Sequence, residues 1–389
     1  MALPLTLRQV QQQQGVLIDT RNSALFNGWP MGLTGTSGHE PGAWHLASDW
    51  LDKMDDEALL VWSASRSLTP NSVIALYGEG CERVAERLRQ SGLNAAFILS
   101  DALTEPSRLV SLPGFRQRVP LQWLHQLMHG KPVAAKPAGE WHVIEVITGE
   151  INACVHIPGT AYLDIRQLES GPLWNVVPPL QLRSVLEAQT IRSDTPVILY
   201  GHNLLATARA AHILLYAGVE DVRMLDGNPR VDAFCWQHAG APATSSPADF
   251  GMPVPAQPKL LINRVQAQGM LQREDAALVS IRSWQEHSGK VSGYAYISAK
   301  GDIPGARWGH AGQDKNGMQD FLNPDGTLRS AEEITAMWQA QNITPEQDVA
   351  FYCGTGWRAS LAFMCARAMG WPRIAVYDGG WFEWSQFYE

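Results

Sequence analysis

A chain of 389 residues with a formal net charge of −8 and no basic run offers no electrostatic footprint for nucleic acid, which excludes it as a bulk partner. Hydrophobic residues at 45% and charged residues at 17% describe a folded globular protein, not a disordered one. No run approaches the roughly 18 uninterrupted apolar residues that read as a membrane span. The start, Met1-Ala2-Leu3-Pro4-Leu5-Thr6-Leu7-Arg8, has neither the basic head nor the long apolar core of a signal peptide.

Taken in chain order, the same stations recur. Asp19-Thr20-Arg21 is followed by His39-Glu40-Pro41-Gly42-Ala43, and then by a short apolar strand, Val73-Ile74-Ala75-Leu76-Tyr77, ending at Gly78. No cysteine directly follows Tyr77. Cys81 and Arg87 fit a Cys-x5-Arg spacing, but Arg83, Val84 and Ala85 read as helix, and Glu82 and Glu86 would repel an oxyanion. That spacing is read as chance. The stretch Lys131-Pro132-Val133-Ala134-Ala135-Lys136-Pro137-Ala138-Gly139 reads as a linker. A second Pro-Gly station follows at His156-Ile157-Pro158-Gly159-Thr160-Ala161, and a second strand at Val197-Ile198-Leu199-Tyr200, closed by Gly201. His39 and His156, in copies without a nucleophile, read as structural.

An Ala/Pro/Ser/Gly-rich run from His238 to Pro258 forms the next linker. Beyond it, Leu278-Val279-Ser280-Ile281 reads as a buried strand, and the third Pro-Gly station is Asp302-Ile303-Pro304-Gly305-Ala306. Ala331 to Gln341 has helical spacing. Asp348 to Tyr352 and Ile374 to Tyr377 read as strands flanking a further helix. Tyr200 to Asp226 spans 26 positions, as does Tyr352 to Asp378, so the middle copy keeps the loop length of the last. Gly201 stands where Cys353 stands, and Ala206 where Arg358 stands. The expected architecture is α/β: three copies of one domain, at 1–130, 131–250 and 251–389. Each would have a central, mostly parallel sheet flanked by helices. Only the third copy is armed.

The arming lies in Tyr352-Cys353-Gly354-Thr355-Gly356-Trp357-Arg358. An apolar strand ends, a cysteine follows at once, and a glycine-bearing loop leads into a helix. Gly354 and Gly356 let the backbone curl so that N–H groups point inward, and the helix adds its positive end to the same spot. Arg358 supplies a cation with forked donors. A thiol there is expected to exist largely as thiolate, the nucleophilic form. A cysteine after a buried strand is ordinarily core, but Gly-Thr-Gly cannot continue the strand and buries almost nothing. Cys365, mid-helix, reads as a buried structural thiol, and Cys154 and Cys235 as packing residues. Five cysteines without Cys-x2-Cys spacing or clustered histidines give no metal site.

The Cys353–Arg358 loop resembles the active-site loop of the rhodanese family, the thiosulfate sulfurtransferases. Tyr377-Asp378-Gly379-Gly380-Trp381-Phe382-Glu383-Trp384 resembles a second family signature. Asp302-Ile303-Pro304-Gly305-Ala306 resembles a third, in which the family more often has His at the first position. The resemblance to three-domain bacterial members runs over the whole chain and implies three tandem rhodanese-like domains. It also implies that Cys353 takes sulfur from thiosulfate or another sulfane-sulfur donor as a persulfide, releasing sulfite. A thiol, cyanide or a protein would accept the sulfur, and no cofactor is required. Gly354, Thr355, Gly356, Trp357 and Arg358 would bind substrate, with Arg358 on the sulfonate end of the donor.

Asp302 and Arg307 are candidates for the layer behind these residues. Asp302 either serves the site or caps a turn ahead of Pro304, and Arg307 either faces the pocket or pairs with an acid on the surface. Asp378 and Glu383 are expected to brace the last turn. Ser280 stands where the domain often has Asp in an Asp-x-Arg element. Four residues between Cys353 and Arg358, rather than the five that wrap a phosphate, weigh against a phosphatase or arsenate reductase. A persulfide carrier loaded by a cysteine desulfurase, with the inactive copies as docking surface, is the alternative. Family resemblance points to the periplasm, with a cytosolic version left open.

Overall fold

The computed structural model describes residues 5–31, 36–93, 96–99, 101–149, 156–227 and 247–387. Cys154, Cys235 and the His238–Pro258 run up to residue 246 lie outside these. The described strands build three parallel sheets and one small hairpin. The first sheet contains β1 (Val16–Asp19), β2 (Trp44–His45), β3 (Ile74–Tyr77) and β4 (Ala96–Ile98), in the order β2-β1-β3-β4. Next in the chain come β5 (Arg118–Val119), β6 (His142–Ile147), β7 (Ala161–Asp164), β8 (Glu169–Ser170), β9 (Asn175–Val176), β10 (Val197–Tyr200) and β11 (Val222–Leu225). The hairpin is β8-β9, and the second sheet runs β5-β11-β10-β6-β7. The third, from β12 (Leu261–Ile262), β13 (Ala276–Ser280), β14 (Arg307–Trp308), β15 (Asp348–Tyr352) and β16 (Ile374–Tyr377), runs β12-β16-β15-β13-β14.

One strand order therefore occurs three times. In the first sheet a parallel bridge from Leu5 to Leu99 takes the edge that β5 and β12 take in the others. The central strands are apolar throughout because helices cover both faces: every residue of Ile74–Tyr77 and Val197–Tyr200 is buried, as is Val349–Tyr352. With no alternation to expose, the chain can turn only at the strand ends, and Cys353 follows directly on the carboxyl end of β15.

Contacts gather the chain into two compact units. One is Met1–Phe115 with Asn323–Glu332; the other is Arg116–Leu322 with Glu333–Glu389. In the first, Asp19 and Arg21 form a buried pair, and His39 stacks on Phe26 at 3.8 Å while its Nε2 meets Glu332 at 3.1 Å. These are packing and anchoring roles. Cys81 opens the Cys81–Gln90 helix, and burial ahead of the neighbouring Glu82 pushes its thiol up to about 11, so the Cys-x5-Arg spacing holds no reactive thiol.

In the second unit two sheets share one interior. The Leu204–Ala217 helix, which follows β10, packs along the Trp357–Ala368 helix, which follows β15. Both are buried nearly all round, so neither can face water. His212 meets Phe363 edge-on at 4.6 Å and bonds the Leu260 carbonyl through Nε2 at 2.8 Å. Burial, with Arg209 next in effect, pushes His212 down to about 3, so it stays neutral in this contact. Cys365 lies in the same helix, its thiol pushed up to about 12 by burial, and is a packing residue. Among the described residues no helix is long and apolar enough to cross a membrane.

Phe363→Ala removes a fully buried ring from this shared interior. It is expected to cost about 3–5 kcal/mol, read as a lower urea midpoint. The second and third sheets are expected to unfold together in one transition.

Candidate active site

Cys353 is 1% exposed and sits in the wall of a cavity of about 670 Å³. The loop after it curls because Gly356 adopts φ +102, a left-handed conformation, and caps the Trp357–Ala368 helix. That turn brings the Gly356 N–H onto Cys353 Sγ at 3.2 Å. The loop's carbonyls point the other way: Cys353 C=O accepts from Trp381 N–H at 2.8 Å and Gly354 C=O from Phe382 N–H at 3.1 Å. The Gly379-Gly380-Trp381-Phe382 stretch thus docks the start of the Gly380–Phe387 helix onto the loop. The Gly356 N–H faces the sulfur while the Cys353 and Gly354 carbonyls face this helix.

The Gly354 N–H does not join the cradle. It donates to Tyr294 Oη at 3.2 Å, and a Cβ on Gly354 would lie 2.3 Å from that ring. Tyr294 Oη also accepts from Arg358 Nη2 at 2.7 Å. Burial, against the lowering pull of Arg358, raises Tyr294 so that it remains a phenol at neutral pH. Thr355 bonds Tyr296, and both line the cavity.

Arg358 departs from the expectation of a free fork. Its guanidinium reaches the cavity wall, but Nη1 and Nη2 pair with Glu286 at 2.8 and 2.9 Å. Burial works against its charge; Tyr294, Glu286 and Cys353 offset that and keep it ionised. Glu286 is fully buried and held by its own turn, where Ser283 and Glu286 form a capping box. Burial would raise its carboxyl, but Arg358 wins and holds it below the ordinary value. Arg358 therefore arrives neutralised, and it orients Tyr294.

Asp302 lies behind the site and does not line the cavity. It accepts from Ser280 Oγ at 2.5 Å, His287 Nδ1 at 2.6 Å and Tyr352 Oη, and Arg282 Nη1 lies 3.3 Å away. Against the raising effect of burial, these donors, His287 foremost, hold its carboxyl low. The two departures at 280 and 302 compensate each other. Ser280 gives up the carboxylate of an Asp-x-Arg pair, and Asp302 supplies one to Arg282. Arg307 takes neither expected role: it bonds the Asn342 carbonyl and Gln347 Oε1, away from the cavity.

Further groups carry no local signal in the sequence. Trp357 Nε1 donates to Glu169 Oε2 at 2.8 Å, and Glu169 Oε1 accepts from Arg209 Nε at 2.7 Å. Arg209 Nη2 also pairs with Asp378, whose other oxygen accepts from Val176 N–H at 2.9 Å. Glu383 bonds Tyr377 Oη at 2.8 Å, so both acids of the last signature brace structure, as expected. The same cavity is also lined by His202, Asn203, Leu204 and Leu205, the corresponding loop after β10, together with Trp174 and Lys315. Among the described residues no group of His, Cys, Asp and Glu side chains is placed to hold a metal ion.

The Rhodanese-like domain family matches residues 263–387. The chain is 54% identical to the thiosulfate sulfurtransferase YnjE of Escherichia coli K12, over 99% of this chain and 90% of that one. The crystal structure of YnjE superposes with a TM-score of 0.95 at 55% identity, covering 98% of this chain and 94% of that one. An anaerobic ergothioneine biosynthesis enzyme from Chlorobium limicola, solved with its natural substrate trimethyl histidine, superposes with a TM-score of 0.91 at 34% identity. That match covers 99% of this chain and 97% of the other. The sulfur carrier protein TtuD of Thermus thermophilus is 29% identical over 59% of this chain and 82% of its own.

Glu286→Gln leaves the buried Arg358 charge unpaired and is expected to cost about 3–5 kcal/mol at pH 7. Because the folded Glu286 value is lowered, the pair's stabilisation is complete above the ordinary glutamate value of 4.5 and is lost as pH falls through the folded one. Urea midpoints of wild type and variant should therefore converge between pH 7 and pH values well below 4.5. A constant gap would contradict the pairing.

Proposed function

This chain belongs to the rhodanese family of sulfurtransferases, and from that premise we propose that Cys353 carries sulfane sulfur as a persulfide between a donor and an acceptor. The observation that carries the reading is the placement of the sulfur: a buried Sγ in a cavity wall, with the Gly356 N–H on it. Cys353 thiolate attacks the outer sulfur of thiosulfate; a new S–S bond forms, and the old one breaks with its electron pair leaving on sulfite. The acceptor's nucleophile then takes the terminal sulfur, and Cys353 leaves as thiolate. This is covalent, two-step catalysis, in which the Gly356 N–H dipole stabilises negative charge on sulfur in both halves.

Thiosulfate alone does not account for a cavity of about 670 Å³, which is of the size that encloses an organic ligand. Tyr294, Tyr296, Trp357 and Trp174 give it aromatic walls, suited to a flat acceptor. The Chlorobium relative supports a small organic acceptor, since its natural substrate is trimethyl histidine. The three sheets of common order are read as three rhodanese-like domains, 1–130, 131–250 and 251–389, with Cys353 as the working thiol. The relative named as a sulfur carrier favours one alternative: loading by a partner such as a cysteine desulfurase, with thiosulfate turnover incidental.

Thiocyanate formation from thiosulfate and cyanide is expected for the wild type and lost in Cys353→Ser. Intact mass after thiosulfate alone should rise by one sulfur atom on wild type only. Persulfide gained from a desulfurase and not from thiosulfate would select the carrier reading; neither signal would reject the persulfide chemistry.

A further inference from the structure

The Cys353 loop is gripped on two sides. On one side, its own sheet supplies Glu286 to Arg358 and Tyr294 to Gly354. On the other, the grip comes from the nucleophile-free second sheet and its hairpin. Arg209, on the helix after β10, is 0% exposed. Its Nε pairs with Glu169 on β8, and the other oxygen of Glu169 holds the indole of Trp357 inside the loop. Its Nη2 pairs with Asp378, at the end of β16. Its Nη1 has no hydrogen-bond partner and lies against Gly356: a Cβ on Gly356 would come 2.9 Å from that nitrogen. Gly356 is the residue whose N–H touches Cys353 Sγ.

We propose that Arg209 is a positioning residue for sulfur transfer, so that the second sheet completes the active site. The proposal rests on Cys353 being the sulfur-bearing nucleophile. Arg209 touches neither the sulfur nor the substrate. It fills the space that any side chain at position 356 would need, and through Glu169 it fixes Trp357. Together these set where the Gly356 N–H points. A forked guanidinium is needed because the two carboxylates, 169 and 378, must be held at once from one buried centre. Lysine keeps the charge but offers a point donor in place of a fork.

Arg209→Lys is the primary variant, because an apolar replacement strands two buried carboxylates. Glu169→Gln is the second; it keeps a hydrogen-bonding group for Trp357 but weakens the hold on Arg209. Three readouts separate positioning from simple support of the fold. They are the active fraction (burst amplitude of sulfite release), the first-order rate constant of that burst at saturating thiosulfate, and the pH dependence of Cys353 alkylation by iodoacetamide. Displacing the N–H donor is expected to lower the rate constant roughly 10- to 100-fold in Arg209→Lys, with a smaller loss in Glu169→Gln. It should also move the alkylation profile to higher pH. A purely structural role would lower the amplitude and thermal midpoint while rate constant and alkylation profile stay at wild-type values. That result in both variants overturns the proposal. Alkylation needs no sulfur transfer, so it remains readable even if the persulfide reading fails.

Discussion

The constraint on which the rest of this structure depends is that Cys353 Sγ is shut away from bulk water with a backbone N–H turned onto it. A buried anion costs far more than it returns unless fixed dipoles or charges meet it. Here the meeting group is backbone. The chain leaves β15, turns left-handed at Gly356 and enters a helix, which aims an N–H at Cys353 Sγ and sends the loop's carbonyls toward Trp381 and Phe382. Such a turn has little intrinsic stability, so its shape is imposed by what packs on it. Tyr294 lies where a side chain on Gly354 would lie, and Arg209 where one on Gly356 would.

Charge within the site follows the same rule. Arg358 is matched by Glu286, and Arg209 stands between Glu169 and Asp378. Neither arginine brings a free positive charge to the sulfur. Their function here is geometric, since a planar fork locks two or more partners into one arrangement. The group the structure turns toward Cys353 Sγ is the Gly356 N–H, an oriented dipole that needs no reorganisation when charge on the sulfur changes. The sequence suggests an arginine that grips the donor; in the structure its guanidinium reaches the cavity wall while bonded to Glu286 and Tyr294.

What was legible in the sequence is what lies close along the chain. The apolar strand, Cys353, the glycine turn and the helix fall within twenty residues, and their recurrence at fixed spacing exposes the repeated strand order. The groups that shape the loop are remote. Glu286 is 72 positions from Arg358, Tyr294 is 64, and Glu169 is 188 from Trp357. Glu286 carries a visible capping box, which announces a helix start and says nothing of the buried arginine it meets. Ser280 and Asp302 each look like a departure when read alone. Only their contact, with Arg282 beside them, shows that one carboxylate has changed its place of origin.

The second sheet carries no nucleophile, yet its residues reach the site. Where the third has Cys353, it has Gly201, and Asn203 caps the helix that follows through bonds to the N–H groups of Leu205 and Ala206. Its loop carries no cysteine at that position, yet it lines the same cavity as Cys353. An α/β sheet on its own opens its ligand end to solvent. Packing the Leu204–Ala217 helix against the Trp357–Ala368 helix sets both strand-end loops on one cavity and brings Arg209 under the turn. The helix after the nucleophile-free loop thus carries Arg209, which packs against Gly356 beside the sulfur.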